Sequence, residues 1–387
     1  MADYLIPGNL PLIRNVCFII NFFHRHRSFC MNLIWRAYQQ SSGAIIEDDR
    51  VVSYADATAE LATTRSASMG LATVLCDLSH FGLIHFSGED AESFLQGQLS
   101  CDVRKTGPSA ALYGSYCNPK GRMLASFLIW RDRNGADGCY LMQLPLALLT
   151  SVQKRLSMYV LRAKVKLADS SGLLVRMAVA GDDAGSLIQE IMGAVPLAHL
   201  DVIHCEKGSA IRLAKDHFEL VITPEYAPAV WDGLSKGALP VGGPCWDWLE
   251  IKAGIPVITP ATQEQFIPQM TNLEAIGGVS FQKGCYPGQE VVSRTQYLGK
   301  IKRRMYLANV RLPSSETRVE AGDELFSVDM GEQSSGMVVN AAPSPDGGFD
   351  LLAVIQISSV ETGQIRWKSP EGPLLEIMPL PYPVDQQ

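Results

Sequence analysis

The sequence predicts an α+β body followed by a separate all-β, barrel-like domain at the carboxyl end. Three observations support this fold class. The chain has 387 residues, of which 47% are apolar and 19% charged, so it is long enough for two or three globular domains. Short strand and helix patterns alternate from about residue 70 to residue 298. Beyond residue 299 only strand-like runs remain, separated by Gly, Pro, Ser and Asp clusters.

Residues 1–45 are predicted to form an amino-terminal extension. Residues 16–23 are mostly apolar but too few to span a bilayer, and a basic cluster follows them directly. A signal peptide would carry its positive charge before such a run, so secretion is not expected. The alternatives are a segment that docks on a membrane surface or a partner, and a translation start placed too far upstream. We favour the second, because Met31 opens a segment with an ordinary helical pattern.

The alternating region is predicted to begin with a strand at residues 83–86. A helix follows, because residues 88–92 place acids where they favour the positive end of a helix dipole. Apolar residues at three- and four-residue spacing predict another helix at about 145–160. The remaining predicted elements are strands at 110–118, 123–130, 173–180, 210–213 and 218–222, and helices near 183–193 and 224–235.

The carboxyl-terminal region, residues 299–387, reads as strands at roughly hairpin intervals. No helical period of useful length appears there, so a barrel or a sandwich is predicted. The predicted strands are 305–312, 324–328, 336–340, 351–357 and 374–378.

Composition excludes several functional classes. A net charge of −7 argues against nucleic-acid binding by the whole surface, and direct DNA binding is not expected. A local basic run at residues 300–304 stays open to two interpretations. It could contact RNA phosphates or a folate polyglutamate tail, or it is a solvated linker face, which is the default.

The cysteines indicate a reducing compartment. The nine cysteines are an odd number without a C-x-x-C pair, which argues against both a disulfide framework and a four-cysteine zinc site. His199, His204 and Cys205 lie close together but lack a fourth ligand at suitable spacing, so no metal site is predicted. We therefore expect a cytoplasmic protein.

Residues 277–290 are predicted to form a tight loop that carries chemistry. The loop contains four glycines and a proline, which permit sharp turns and close backbone approach. Cys285 lies near its centre, with Lys283 two residues before it and Arg294 farther on. A nearby cation favours a thiolate, so Cys285 is predicted to be functional. The alternative is a structural turn in which this cysteine only fills space.

The segment Lys283-Gly284-Cys285-Tyr286 and the following Gly288-Gln289-Glu290 resemble the signature of the folate-binding YgfZ family. That family is similar to the aminomethyltransferase, or T-protein, of the glycine cleavage system. The resemblance extends from about residue 71 to the carboxyl end. The supporting motifs, in the family's order, are residues 77–81, 88–91, 94–99, 118–122, 253–258, 266–269, 272–273 and 380–382.

The resemblance implies a T-protein-like multi-domain body around a central opening that binds tetrahydrofolate or a derivative. Residues 46–298 would form two intertwined subdomains and residues 299–387 the β-barrel domain. The implied function is assembly or repair of iron-sulfur clusters in client enzymes, including one that methylthiolates transfer RNA. The implied partners are folate and these client enzymes, without a membrane.

The resemblance also implies which residues act. The loop cysteine, here Cys285, is the residue most tied to activity, and Lys283 and Arg294 would favour its thiolate or hold the acidic tail of folate. Aromatic residues flank the folate in the family, and the matching positions are Phe81 and Trp246. The expected folate-binding residues are Phe81, Trp246, Asn118, Gln269, Tyr286 and Gln289.

Departures from the T-protein pattern argue against aminomethyl transfer. T-proteins carry two aspartates where this chain has Ala125 and Ser126, so the transferase acid is missing. The T-protein glutamate that contacts the pterin falls on Lys252. A true transferase, the alternative function, would need a replacement acid, for which the candidates are Asp77, Asp102 and Glu250. A third alternative is a docking module that holds folate only as a structural ligand.

Overall fold

A computed structural model describes residues 31–132, 138–312 and 317–384, so the predicted extension before Met31 lies outside the described residues. The helices are α1 (Leu33–Ser41), α2 (Ala57–Ser68), α3 (Ala91–Gln96), α4 (Leu146–Ser157), α5 (Ala184–Met192), α6 (Ala227–Leu234), α7 (Gly243–Lys252), α8 (Gln289–Tyr297) and α9 (Ile357–Glu361). The strands are β1 (Ile45–Glu47), β2 (Arg50–Ser53), β3 (Thr73–Asp77), β4 (Phe81–Ser87), β5 (Leu112–Cys117), β6 (Met123–Arg131), β7 (Tyr140–Pro145), β8 (Lys166–Asp169), β9 (Val175–Gly181), β10 (Val202–Cys205), β11 (Gly208–Ala214), β12 (His217–Ile222), β13 (Leu239–Val241), β14 (Arg303–Val310), β15 (Glu324–Ser327), β16 (Ser334–Pro343), β17 (Phe349–Gln356), β18 (Ile365–Trp367) and β19 (Leu375–Met378).

The α+β body contains two large sheets, besides the two-stranded sheet of β1 and β2. The first has five antiparallel strands in the order β5-β6-β7-β4-β8, and α4 packs against it. The second has six strands in the order β10-β11-β12-β9-β3-β13, of which only the pairing between β13 and β3 is parallel. Strands β3, β6 and β9 are buried along almost their whole length, because both faces of the sheets are covered there.

The carboxyl-terminal region is an antiparallel sheet in the order β18-β15-β16-β17-β14-β19. It curls into a half-barrel, so the predicted fold class, an α+β body with a barrel-like all-β domain, is confirmed. Each predicted strand of this region matches an observed one to within a few residues, whereas β18 was not predicted.

Helix α1 packs on the second sheet. Trp35 is buried, and its Nε1 donates a hydrogen bond of 2.5 Å to Oδ2 of Asp77 at the end of β3. Asn32 caps the helix by accepting from the backbone amides of Ile34 and Trp35. Residues from Met31 onward therefore contact the core of the body, and the predicted boundary at residue 45 falls at the start of β1.

Helix α7 joins three parts of the molecule. Asp247 forms an ion pair with Arg50 of β2. One residue later, Trp248 donates from Nε1 to Oδ2 of Asp350 on β17, at 2.7 Å. Glu250 faces a cavity between the body and the carboxyl-terminal sheet. The helix is consequently apolar on several faces, since it is packed between layers rather than on a surface.

Among the helices of the described segments, none combines the length and the apolar character needed to cross a membrane.

Candidate functional site

A cavity of about 550 Å³ lies at the centre of the molecule, between the first sheet, α7 and the carboxyl-terminal sheet. This volume is within the range of about 300–1,000 Å³ typical of small-molecule sites. Its inner end continues into a narrow pocket of about 40 Å³. The residues that line both spaces are Phe81, Pro145, Glu250, Ile255 and Val257.

Three of the polar side chains that line the narrow pocket come from three different elements. Glu219 comes from β12, Gln143 from β7 and Glu250 from α7. Gln143 donates from Nε2 to Oε2 of Glu219 at 2.9 Å. Phe127, Leu128 and Leu144 are among the apolar residues that complete the wall.

The surroundings of both carboxyl groups in this pocket shift them toward the neutral form. Burial raises the pKa of Glu219 to about 7, although Gln143 and Arg176 oppose the shift. Burial also raises the pKa of Glu250 well above its ordinary value, and the neighbouring Asp247 and Glu219 raise it further. A protonated carboxyl can both donate and accept hydrogen bonds, so this pocket can bind a ligand edge that carries both types of group.

Two buried oxygens at this site lack a hydrogen-bond partner within the described residues. They are Oε1 of Glu219 and Oε1 of Gln143. Buried polar atoms are almost always paired, so these two are available to hydrogen-bond a molecule in the pocket. The pterin of a folate has amine and ring N–H donors beside ring acceptors, so the residues present fit such a group.

The outer cavity has a charged wall. His80 lies there with its Nε2 3.8 Å from Oδ1 of Asp247, and the second Asp247 oxygen accepts from Arg50. Neither ring nitrogen of His80 has a hydrogen-bond partner among the described residues. Burial, reinforced by Arg50 and Arg176, holds the pKa of His80 well below its ordinary value, so the imidazole is neutral. The ring packs at 4.7 Å from that of Phe81.

Only one of the predicted folate-binding residues lines the cavity. Phe81 does so at both depths. Trp246 is buried beside the cavity, four residues before Glu250 on α7, with its ring 6.2 Å from His217. The other four, Asn118, Gln269, Tyr286 and Gln289, lie around the Cys285 loop instead.

Lys283 anchors the Cys285 loop, residues 277–290, whereas the thiol of Cys285 is exposed. The buried amine of Lys283 donates to the backbone carbonyls of Leu99 and Cys101, the latter at 3.0 Å. It also lies 5.1 Å from the ring centre of Tyr286. Burial lowers the pKa of Lys283 to about 8. Lys283 thus points into the body, toward Cys101.

Helix α8 follows the loop and packs through few contacts. Arg294 is exposed on this helix, whereas Val292 is its buried residue. Gln269 donates from Nε2 to the carbonyl of Val292 at 2.6 Å and so ties the helix to the body. Gln289 is the first residue of α8.

Two glycine turns interlock beneath the loop. Oδ1 of Asn118 accepts from the backbone amides of Lys120 and Arg122, at 2.9 and 3.0 Å, which closes the turn between β5 and β6. Gly121 at φ +72° and Gly288 at φ +82° face each other across this contact. A Cβ on Gly288 would lie 2.5 Å from the carbonyl oxygen of Asn118, so only glycine fits there.

The positions of the missing T-protein acids are structural here. Ala125 is fully buried, and Ser126 lines the narrow pocket and accepts from the amide of Ile258 at 2.9 Å. Of the candidate replacement acids, Glu250 lines the cavity. Asp77 is held by Trp35 and Ser79, and Asp102 by Gln96.

Sequence reasoning missed several polar residues of the cavity. Among them are His80, Gln143 and Glu219, although His80 stood within a family motif. A signal for two of them was present, since Gln143 and Glu219 each interrupt an apolar strand run. A polar residue in a buried strand is more informative than an apolar one, because its burial needs a compensating partner. Among the described residues, no group of three or more His, Cys, Asp or Glu side chains is placed to hold a metal ion.

Comparisons with known proteins agree with this architecture. A family model described as "GCVT N-terminal domain" matches residues 38–282. A curated relative from Colwellia psychrerythraea, named tRNA-modifying protein YgfZ, is 35% identical over 76% of this chain and 92% of its own length. A relative of the same name from an Enterobacter species is 33% identical over 83% of this chain and 96% of its own.

One solved structure has the same overall fold. It is the glycine cleavage system aminomethyltransferase T from Bartonella henselae, with a TM-score of 0.70 over 92% of this chain and 98% of that one. At 16% identity the likeness concerns the fold alone.

Proposed function

Since this chain belongs to the YgfZ family, we propose that it is a folate-binding protein that supports a transfer RNA modification in the cytoplasm. It would act by assembling or repairing the iron-sulfur clusters of client enzymes, including an enzyme that methylthiolates transfer RNA. The observation that carries the proposal is the central cavity of a T-protein-like fold, with unpaired polar atoms at its inner end. Among the residues that the structure describes, no disulfide joins any of the seven cysteines, which is in keeping with a reducing compartment.

The proposed ligand is tetrahydrofolate or a derivative. Glu219, Glu250 and Gln143 would hold the polar edge of the pterin, and Phe81 would pack against a ring. The acidic tail would lie toward the mouth of the cavity, where Arg318 is exposed. When bound, a reduced folate supplies one-carbon and redox chemistry; the residues of this chain bind it, orient it and exclude water.

Replacing Phe81 with alanine is expected to weaken the binding of 5-formyltetrahydrofolate about thirtyfold, since a buried aromatic contact contributes about 2 kcal/mol. Isothermal titration calorimetry measures the change. Phe281→Ala is the matched control, because Phe281 belongs to the Cys285 loop, packs against Tyr297 of α8 and does not line the cavity.

If the two variants bound 5-formyltetrahydrofolate with equal affinity, the folate site would lie elsewhere and the cavity would not be part of the proposed function. The same Phe81 variant also tests the docking-module alternative. If it no longer binds folate and yet supports normal transfer RNA modification, folate is only a structural ligand.

The second proposed element is Cys285, acting as a thiolate nucleophile or a transient ligand for sulfur or iron. Its thiol is exposed in a loop whose neighbouring Lys283 is committed to backbone carbonyls, so the loop is held in place while the thiol stays accessible. Arg294 is exposed on the helix that follows and would approach a partner from the same side.

Cys285→Ser is expected to reduce transfer RNA methylthiolation to the level of the gene deletion while leaving folate affinity unchanged. The exposed position predicts unaltered folding, because surface substitutions usually change stability by less than about 0.5 kcal/mol. Mass spectrometry of nucleosides from a complemented deletion strain measures the effect. Cys139→Ser, at another partly exposed cysteine, is the control. If Cys285→Ser fully restored transfer RNA methylthiolation in the deletion strain, Cys285 would not have the proposed role.

The alternative function, tetrahydrofolate-dependent aminomethyl transfer, depends on Glu250 as the replacement acid. It requires methylene-tetrahydrofolate formation from an aminomethyl-lipoyl carrier. We expect none, because burial raises the pKa of Glu250 well above its ordinary value, which makes this carboxyl a poor substitute for a readily ionised aspartate.

A further inference from the structure

Eight cationic side chains lie on segments that contact the Cys285 loop or follow it in the chain, and we call them together the cationic face. They belong to three segments: the turn Val103–Thr106, the turn at residues 118–122, and α8 with the residues that follow it. Seven are exposed and Arg122 is half-buried. The residues are Arg104, Lys105, Lys120, Arg122, Arg294, Lys300, Lys302 and Arg303.

Contacts of the loop bring these three segments together. Lys283 donates to Leu99 and Cys101, directly before the first turn, and lies close enough to Arg104 for that charge to lower its pKa. Gly288 packs on Gly121 of the second turn. At the far end of α8, the ring of Tyr297 meets that of Phe281 edge-on at 6.1 Å, which brings the end of this helix beside the loop. Lys300, Lys302 and Arg303 follow three to six residues later, and the last of them is the first residue of β14.

The charges of the cationic face are not neutralised by the protein. Within the segments that the structure describes, no acidic group lies within 4 Å of any of the eight, whereas Arg36, Arg50, Arg131 and Arg304 all have such partners. The acids of the three segments are Asp102, which accepts from Gln96, and Glu290. Outside these segments acids outnumber bases, because the whole chain has a net charge of −7.

An unpaired basic cluster on an acidic protein indicates a polyanionic partner. Like charges held together repel one another, and a bound polyanion removes that repulsion while releasing its own counterions. The face also offers groups suited to bases. Tyr297 is 68% and Leu298 86% exposed. Beside them opens a cleft of about 290 Å³ lined by Thr295, Gln296 and Arg304, and the guanidinium of Arg304 is paired there with Glu274. Exposed rings and hydrogen-bonding groups next to cations are the means by which proteins contact unstacked bases in folded RNA.

We propose that the cationic face binds the phosphate backbone of a folded RNA, of the transfer RNA class, and places that RNA next to the exposed thiol of Cys285. This inference rests on the proposed function, because it assigns the RNA of that modification pathway to a surface of this chain. It adds direct RNA contact, whereas the proposed function requires only contact with client enzymes.

The test is fluorescence anisotropy of the full-length protein with an unmodified transfer RNA transcript at several salt concentrations. The variant Lys300→Glu, Lys302→Glu, Arg303→Glu reverses three exposed, unpaired charges. We expect it to bind about thirtyfold more weakly, and the slope of log affinity against log salt to fall by about 2–3. The control variant Lys166→Glu, Lys215→Glu, Lys236→Glu reverses three exposed charges elsewhere, since Lys166 lies on β8, the sheet edge opposite β5. It should bind like the wild type.

Several outcomes would overturn the inference. The first is that the wild type does not bind the transfer RNA, and the second is that the two variants bind it equally well. The third is that poly-glutamate of matched charge displaces the labelled transfer RNA as well as unlabelled transfer RNA does, which would indicate an acidic protein as the partner. Circular dichroism of both variants excludes misfolding as a cause. Failure here is distinguishable from failure of the proposed function. If the triple variant at Lys300, Lys302 and Arg303 restores methylthiolation and binds folate normally, the inference of direct RNA contact is wrong, whereas the proposed folate-dependent role is unaffected.

Discussion

Gly288→Ala is expected to lower the free energy of unfolding by about 3 kcal/mol, because the added Cβ meets backbone that cannot withdraw. That Cβ would lie 2.5 Å from the carbonyl oxygen of Asn118 and 2.6 Å from both Cα and N of Gly121. The alanine must also hold φ near +82°, which costs about 1 kcal/mol by itself. Chemical denaturation of the purified variant measures the loss.

Gly277→Ala separates the two contributions. Gly277 has φ +80°, nearly the same backbone conformation, but its Cβ would have no heavy atom within 4 Å. We expect this control to lose only about 1 kcal/mol. If the two variants had the same free energy of unfolding, the contact between the two glycine turns would not contribute to stability. The hydrogen bonds of Lys283 would then be what holds the loop in place. Proteolysis within residues 277–290 should also be faster in Gly288→Ala.

Raising the pH from about 5 to 8 is expected to lower the free energy of unfolding by about 3 kcal/mol through Glu219. The pKa of this carboxyl is about 7 in the fold against 4.5 for an unperturbed glutamate. The fold therefore binds the proton more tightly than the unfolded chain does. The stabilisation is fully present below pH 4.5 and is lost as the pH rises through 7.

Glu219→Gln removes this titration while keeping the shape and one hydrogen bond to Gln143. The stability of the variant relative to the wild type should rise with pH across this window. Glu225→Gln, at an exposed acid, is the control and should run parallel to the wild type. If the free energy of unfolding of Glu219→Gln also ran parallel to that of the wild type across this pH range, the Glu219 carboxyl would be solvated in the native protein.

Elements that lie on a surface of the body were predictable from apolar spacing. Helix α4 buries Leu149, Val152 and Leu156, which the spacing predicts, together with Leu148. The strands of the carboxyl-terminal sheet were predictable because turn residues separate them. Helix α7 was not predicted, since Trp246, Trp248 and Ile251 are buried on different faces and leave no amphipathic period. Helix α8 buries only Val292 and begins inside the glycine-rich loop.

The candidate site likewise has one part that the sequence predicts and another part that it does not. The Cys285 loop is contiguous in the chain, so its composition pointed to it directly. The cavity draws Gln143, Glu219 and Glu250 from segments that are 76 and 31 residues apart, and no local pattern joins them. Resemblance to a family found Phe81 there, but it also grouped Asn118 and Gln269 with the folate, whereas the structure places them at the loop.

The arrangement of α7 has a consequence for how a ligand and the carboxyl-terminal domain influence each other. Asp247, Trp248 and Glu250 lie within a single turn, so a displacement of that turn disturbs the Arg50 ion pair, the Asp350 hydrogen bond and the cavity wall at once. The half-barrel cannot separate from the body without moving the wall that a ligand contacts. Occupancy of the cavity and attachment of the half-barrel are therefore thermodynamically linked, and each favours the other by the same factor.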